Sequence, residues 1–402
     1  MRKKILLLFP YKFTEFEYYK FEISKLEKKY NFKIVINDLS NILNNKKLNL
    51  AWTSKRYQKV LFFRSITEWI HFFNKIKKKN IIIFNFVNNC YNFNSFIIKL
   101  YIKLSKKPVF LFQEASIDSI IKKNTSWLLS NIYHHKFNFR VYLFYLNYYF
   151  FYFLMSFFKY KKYFTLFSDY RKNINIKKNL IININQHDYS NSLLFTNNNN
   201  NNNKKKKYII YLDSPSPYFT GDTHLIGNKL PEWDTKGWYK DLLHFFDKLE
   251  NYFDADVIII PHPKHKSLNK KIKSHNPYFK NRIVNNDSTS LGKLSTNAFF
   301  FISRGSTAVA YAVAHNKPVV CISSSNYAYE KNEIKGLLYQ AKLLGCKPFD
   351  ISKLHINEIR KFLKINKSKY CNYKYTYLTT KKGKIEKTPN YKIIGDFISK
   401  HI

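Results

Sequence analysis

The stretch FFFISRGSTAVAYAVAHNKPVV, residues 299–320, holds the fold of the chain in miniature. An apolar run, with AFFFIS (298–303) as a strand, stops at the polar turn Ser303-Arg304-Gly305-Ser306-Thr307. STAVAYAVAHN (306–316) then reads as a helix, and a second apolar strand, PVVCIS (318–323), follows at once. Two strands joined through a helix must lie parallel, because a tight hairpin cannot connect them. Runs without polar alternation are strands covered on both faces, as in a doubly wound α/β sheet. Ala308, Ala310, Ala312 and Ala314 keep the helix small enough to sit close to the sheet.

Outward from this unit the pattern repeats. YIIYLDS (208–214) and ADVIIIP (255–261) read as strands, and WYKDLLHFFDKLENYF (238–253) as an amphipathic helix between them. The first half carries the same signature. KKILLLF (3–9), FKIVIND (32–38), KVLFF (59–63), NIIIFNF (80–86), KPVFLFQE (107–114), FTLFSDY (164–170) and NLIININ (179–185) predict strands. EFEYYKFEISKLEKKY (15–30) and NSFIIKLYIKLSKK (94–107) have helical spacing of apolar positions.

A chain of 402 residues exceeds one ordinary core. The Asn run 197–203 leading into Lys204–Lys207 cannot build a core and reads as an exposed linker. The expected organisation is an N-terminal Rossmann-like domain (1–190), a linker (191–207), a C-terminal Rossmann-like domain (208–385) and a closing helix (386–402). The fold class is thus α/β, two Rossmann-like domains facing a cleft. Ligands of such sheets bind beyond the carboxyl ends of the strands, so functional residues belong just after strands.

Composition narrows the partners. Lys and Arg number 69 against 26 Asp and Glu, a formal net charge of +43. That excess favours an anionic partner: nucleic acid, an acidic membrane surface or a phosphate-bearing substrate. Abundant Lys, Asn, Ile, Tyr and Phe beside only 9 Gly also match the codon bias of an A+T-rich genome, which accounts for part of the charge. Lys is spread along the chain with no nucleic-acid-binding signature, so nucleic acid is not the expected partner. Cys90, Cys321, Cys346 and Cys371 form no C-x-x-C pair, against a zinc ribbon or disulfide scaffold and for a reducing, cytoplasmic location. MRKKILLLFPYKF reads as a first buried strand, since Pro10 follows only five apolar residues and no small-residue cleavage site appears.

VYLFYLNYYFFYFLMSFF (141–158) is uncharged over 18 residues and flanked by Arg140, Lys159, Lys161 and Lys162. Its length is marginal for a membrane span and its tyrosines favour an interface, so it reads as a buried or membrane-surface helix.

Two constellations carry chemistry. The first is DVIIIPHPKHK (256–266), a strand that ends by presenting His262 between two prolines, then Lys264, His265 and Lys266. The second is the Arg304-Gly305-Ser306-Thr307 turn. Gly305 permits a tight turn, Ser306 or Thr307 an N-cap, and free N–H groups, two hydroxyls and Arg304 together suit a phosphate. His262 and His265 with Asp222 and His224 are the alternative, a metal site, but adjacent lysines disfavour a cation there. His134-His135 and His187-Asp188 read as surface or packing residues. No P-loop or G-x-G-x-x-G motif appears.

The order strand, His-Pro, helix, strand, Gly-Ser-Thr, helix, NKPVV over residues 208–325 resembles the C-terminal half of GT-B glycosyltransferases of bacterial surface polysaccharides. It is most similar to the CMP-sugar-using sialyltransferase and polysialyltransferase type. The resemblance implies that His262, with Ser306 and Thr307, contacts the nucleotide phosphate and helps it depart without a metal. It implies no cofactor beyond the nucleotide-sugar donor, and as partners a glycan or glycolipid acceptor and an anionic inner-membrane surface. The family's acidic general-base motif is absent in full form; Glu114 in FLFQEASID is the nearest candidate, with Asp118 and Asp213 behind it. Lys264 and Arg304 are supporting charges. UDP-sugar enzymes of this fold carry a Glu on the ribose, about five residues before a Gly; Tyr311 and Asn316 stand at those positions, which tilts the donor toward CMP. The alternatives are a polyol-phosphate transferase or UDP-sugar epimerase of the same fold, and a non-enzymatic nucleic-acid-binding protein.

Overall fold

In the computed structural model the described residues are 3–43, 57–87, 92–113, 146–147, 149–154, 163–168, 181–195, 207–214, 234–262, 276–279, 282–285, 290–326, 331–353 and 355–402. The first domain is a seven-stranded, all-parallel sheet in the order β3-β2-β1-β4-β5-β6-β7. Its strands are β1 (Lys4–Phe9), β2 (Lys33–Asp38), β3 (Val60–Phe62), β4 (Ile81–Asn85), β5 (Val109–Gln113), β6 (Tyr163–Phe167) and β7 (Ile181–Asn183). Each falls within the run that predicts it or extends one residue past it. The cause is visible in β1: Ile5, Leu7 and Phe9 enter the core on one face and Leu6 and Leu8 the core on the other. A strand buried on both faces cannot alternate with polar residues.

The helices depart more from expectation. The segment 15–30 forms two helices, α1 (Glu15–Lys20) and α2 (Ile23–Tyr30), broken where Glu22 takes a left-handed φ of 52°. A third helix, α3 (Ile66–Ile76), was not anticipated; Ser65 caps it by accepting from Glu68 N at 3.2 Å, and Trp69 and Phe73 are fully buried. Helix α4 (Phe93–Ser105) matches the stretch that predicts it.

The second domain is a six-stranded parallel sheet, order β10-β9-β8-β11-β12-β13. It comprises β8 (Tyr208–Leu212), β9 (Asp256–Ile260), β10 (Ile283–Val284), β11 (Phe301–Ser303), β12 (Val319–Ser323) and β13 (Phe349–Asp350). Its α-helices of six or more residues are α6 (Thr235–Phe253), α7 (Ser290–Ser295), α8 (Val309–Ala314), α9 (Lys331–Leu344) and α10 (Lys367–Tyr373). The strands β10 and β13, two residues each, are too short to show a period in sequence.

Two chain crossings join the halves. Helix α5 (His187–Leu193) leaves the first sheet, and its Tyr189 is buried in the core of the second domain. The boundary read at residue 190 falls inside this helix. The last helix, α11 (Asn390–His401), returns to the first domain, where Ile394 and Ile398 join the core of Ile5 and Leu7. Gly395 lets it come close to α2, since a Cβ there would strike the Tyr30 ring.

The crossings are tied to each other by buried hydrogen bonds. Asn185 Nδ2 donates to Ile385 O at 3.0 Å and Thr388 O at 2.8 Å, and Thr379 Oγ1 donates to Asn185 Oδ1 at 2.5 Å. Asn390 N donates to Ser190 Oγ at 2.7 Å, the Ser190 hydroxyl donates to Glu22 Oε1, and Tyr391 N donates to Glu22 Oε2 at 2.8 Å. Burial pushes the Glu22 carboxyl up to about 7, against these bonds and Lys25, which act the other way.

Of the aromatic segment 141–158, residues 146–147 and 149–154 are described and helical, with Phe151 packed on Phe93 and Phe96. Among the described residues no helix is long and apolar enough to cross a membrane.

Candidate functional site

In the second sheet the strand order reverses between β8 and β11, the point at which the helices of successive units diverge and leave a crevice. The register brings three strand ends to that crevice. Leu212 is paired with Ile260 on one side and with Ser303 on the other. The residues that follow them, Asp213, Pro261-His262 and Arg304-Gly305-Ser306-Thr307, therefore emerge side by side from one edge of the sheet. Asp213 N donates to Ile260 O at 3.0 Å, which ties the first two together.

Each side chain is held by what lies beneath it. Asp213 is buried, and its Oδ1 accepts from Ser214 N at 3.0 Å. His262 is half-buried. Arg304 is nearly buried, its guanidinium 4.7 Å from the centre of the Trp238 ring on the first turn of α6. Stacking on an indole holds a cation without neutralising it. The neighbouring Tyr239 hydroxyl is also buried; its proton is held well above the ordinary phenol range first by burial and then by the negative charge of Asp213, with Asn276 and Arg304 acting the other way.

Gly305 has φ +87°, and a Cβ placed there would meet only open space, so this backbone faces the crevice. Ser306 N donates to Ser303 Oγ at 3.1 Å, and Ser306 Oγ accepts from Ala308 N at 3.3 Å. Ser306 is thus the capping residue of the turn, and its own hydroxyl proton stays available to donate outward. Thr307 is exposed. Sequence reasoning extends the following helix over 306–316; the observed α8 covers only Val309–Ala314. Its start is a tight turn, with Val309 N bonded to Ser306 O and Ala310 N to Thr307 O. Its end is closed by Asn316 at φ 52°, with Lys317 N donating to Ala312 O at 2.8 Å. Six residues make a weak dipole, so any anion here relies on loop N–H groups, hydroxyls and Arg304 instead.

Gln340 of α9 was missed from sequence. Fully buried, it donates from Nε2 to Ser306 O at 2.9 Å and accepts from Ser303 Oγ at 3.3 Å, clamping the turn on both sides. A lone amide among apolar residues in GLLYQAKLL was the available signal. Tyr311, read as standing at a ribose position, packs toward the other domain. With Phe16, Tyr19, Lys20, Asp188 and Asn191 it lines an interdomain cavity of about 60 Å³.

Glu114, Asp118, Lys264, His265, Asp222 and His224 lie outside the described residues; Glu114 follows Gln113, the last residue of β5. Among the described residues no group of three or more His, Cys, Asp or Glu could hold a metal ion.

No family model matches the chain, and no curated protein matches it. Solved structures do. The wall teichoic acid polymerase TagF, in a structure soaked with CDPG, aligns with TM-score 0.50 at 10% identity over 99% of this chain and 88% of that one. The glycosyltransferase SnogD of Streptomyces nogalater aligns with TM-score 0.47 at 7% identity, over 99% of each chain. UDP-GlcNAc 2-epimerase of Methanocaldococcus jannaschii aligns with TM-score 0.46 at 12% identity, over 99% of this chain and 100% of that one. Together with the two parallel sheets, the TagF likeness shows the GT-B fold expected from sequence.

Proposed function

We propose that this chain is a metal-independent GT-B glycosyltransferase that moves a sugar, from a CMP-linked ulosonic or sialic-type donor, onto a hydroxyl of a cell-surface glycan. The observation that carries the reading is the convergence of His262, Arg304, Gly305 and Ser306 at the switch point of the second sheet. Negative charge grows on the donor phosphate as the glycosidic bond breaks, and groups fixed in advance around it lower the barrier. In this reading Ser306 donates its free hydroxyl proton to a phosphate oxygen. His262 donates a second hydrogen bond, and Arg304, already oriented by Trp238, supplies fixed positive charge. Thr307 and Lys264 act from the rim, and Asp213 lies close enough to bind the nucleoside side. Glu114 takes the proton of the acceptor hydroxyl. Exposed Leu146, Tyr149, Phe150, Tyr152 and Phe153, together with the lysine excess, support docking on the cytoplasmic face of an anionic inner membrane, where a lipid-linked acceptor resides.

The same phosphate site would serve a CDP-linked polyol-phosphate donor, and the TagF structure soaked with CDPG keeps that second reading in view. Titration of CMP, CDP and UDP by calorimetry against wild type and His262→Ala separates them. CMP is expected to bind most tightly and to lose about tenfold in affinity in the variant, the worth of one charge-assisted hydrogen bond. Preference for CDP would move the assignment to the polyol-phosphate class. UDP binding that ignores the substitution would overturn both.

A further inference from the structure

Cys321 and Cys346 meet in the second domain with their sulfurs 3.8 Å apart. Cys321 is fully buried in β12; Cys346 is half-buried, just beyond the end of α9. The turn between them is well formed. Gly345, at φ +74°, ends the helix, Gly345 N donates to Lys342 O and Cys346 N to Ala341 O at 2.9 Å. The pair is not inert filler in an apolar layer. The Cys346 thiol is held below its ordinary range by the hydrogen bond with Cys321, while Cys321 is pushed well above it. The groups that face the pair are Tyr370 and Tyr373 of α10, with Lys342 and Lys347 flanking Cys346 along the chain. Half-buried Cys346 is the sulfur a small oxidant can reach, and buried Cys321, 3.8 Å away, is placed to resolve the product.

Cys321 sits beside the Ser303–Thr307 turn, and Cys346 is linked to it through Gln340. Cys321 pairs in register with Ser303, the residue whose hydroxyl accepts from Ser306 N. Gln340, which clamps Ser303 and Ser306, lies on α9 six positions before Cys346, which follows the end of that helix. Bridging the two sulfurs to the bonded distance of about 2.05 Å draws the end of α9 toward β12 and with it the clamp.

We propose that Cys321 and Cys346 are a dithiol modification site that hydrogen peroxide converts to a disulfide, tightening the Ser303–Ser306 turn through Gln340. The Cys346 thiolate attacks the peroxide oxygen, forming a sulfenic acid and releasing hydroxide, which is protonated to water. The Cys321 thiol then displaces the sulfenic oxygen as a second water. Two thiols lose two electrons and two protons, and one peroxide is reduced to two waters.

The test treats the full reduced chain with a few equivalents of hydrogen peroxide, blocks remaining thiols by alkylation and maps peptides by mass spectrometry. The expected product is a Cys321–Cys346 cross-linked peptide, lost on treatment with dithiothreitol, while exposed Cys371 remains alkylated. Cys321→Ala is expected to stop at a Cys346 sulfenic acid that dimedone captures; should that buried variant not fold, Cys346→Ser must abolish the cross-link while leaving Cys321 alkylatable after denaturation. Hydrogen exchange in peptides covering 303–311 is expected to slow several-fold on oxidation of wild type and not of Cys346→Ser. Overoxidation of Cys346 with Cys321 still alkylatable would overturn the site, and an unchanged exchange rate in the cross-linked protein would overturn its link to the turn.

Discussion

Replacing Glu22 by Gln should remove a pH dependence of stability built into the junction between the domains. Glu22 is completely buried, and its carboxyl is pushed from an ordinary 4.5 up to about 7. A carboxyl raised in the folded state holds its proton longer folded than unfolded, so stability falls as pH rises between those values. The contribution is fully present below pH 4.5 and gone above pH 7. At 1.36 kcal/mol per pH unit the interval amounts to about 3 kcal/mol. Gln is the neutral isostere: its amide oxygen can accept from Tyr391 N as Glu22 Oε2 does, and its NH₂ can donate to Ser190 Oγ. The variant should therefore behave like the protonated wild type at every pH. Thermal scans of both proteins from pH 5 to pH 9 provide the assay. About 2.6 kcal/mol of this is lost within the scanned range, so at 2–4 °C per kcal/mol for a domain of this size the wild-type midpoint should fall by about 5–10 °C relative to the variant. Parallel curves for the two proteins would show that Glu22 stays ionised in the fold and that burial does not dominate its environment.

Two further outcomes follow from the same geometry. Gly305→Ala meets no steric obstacle but must hold φ +87°, which should destabilise the second domain by about 1–2 kcal/mol, read from the denaturant midpoint, and weaken nucleotide binding. Asn185→Ala leaves Ile385 O and Thr388 O without their donor and Thr379 Oγ1 without its acceptor, so a loss of about 2–4 kcal/mol is expected, with faster proteolytic cutting between residues 378 and 390.

The parallel sheets were legible because burial on both faces writes a continuous apolar run, and such runs mark eleven of the thirteen described strands; the other two, β10 and β13, fail only by length. The turn residues proposed to hold a phosphate were singled out for a related reason. Polar residues directly after a strand in an open α/β sheet have few roles besides solvation or ligand contact, so His262 and Arg304-Gly305-Ser306 stood out. The helices were less so. The interruption of 15–30 depends on where the Glu22 carboxylate finds donors, and those lie 168 and 369 positions away in the chain.

Local sequence by itself determined the strands, the α/β class, the division into two halves and the loops that bear polar groups, since each depends on hydrophobic period and turn chemistry within about twenty residues. Tertiary structure alone decided which loops became neighbours. Strand order set Asp213, His262 and Arg304 along one edge, α9 brought Gln340 onto the turn, and the returning α11 enclosed Glu22. Such pairings are contacts between distant segments, fixed by how layers pack and which buried polar groups must be satisfied together, and no window of sequence contains them.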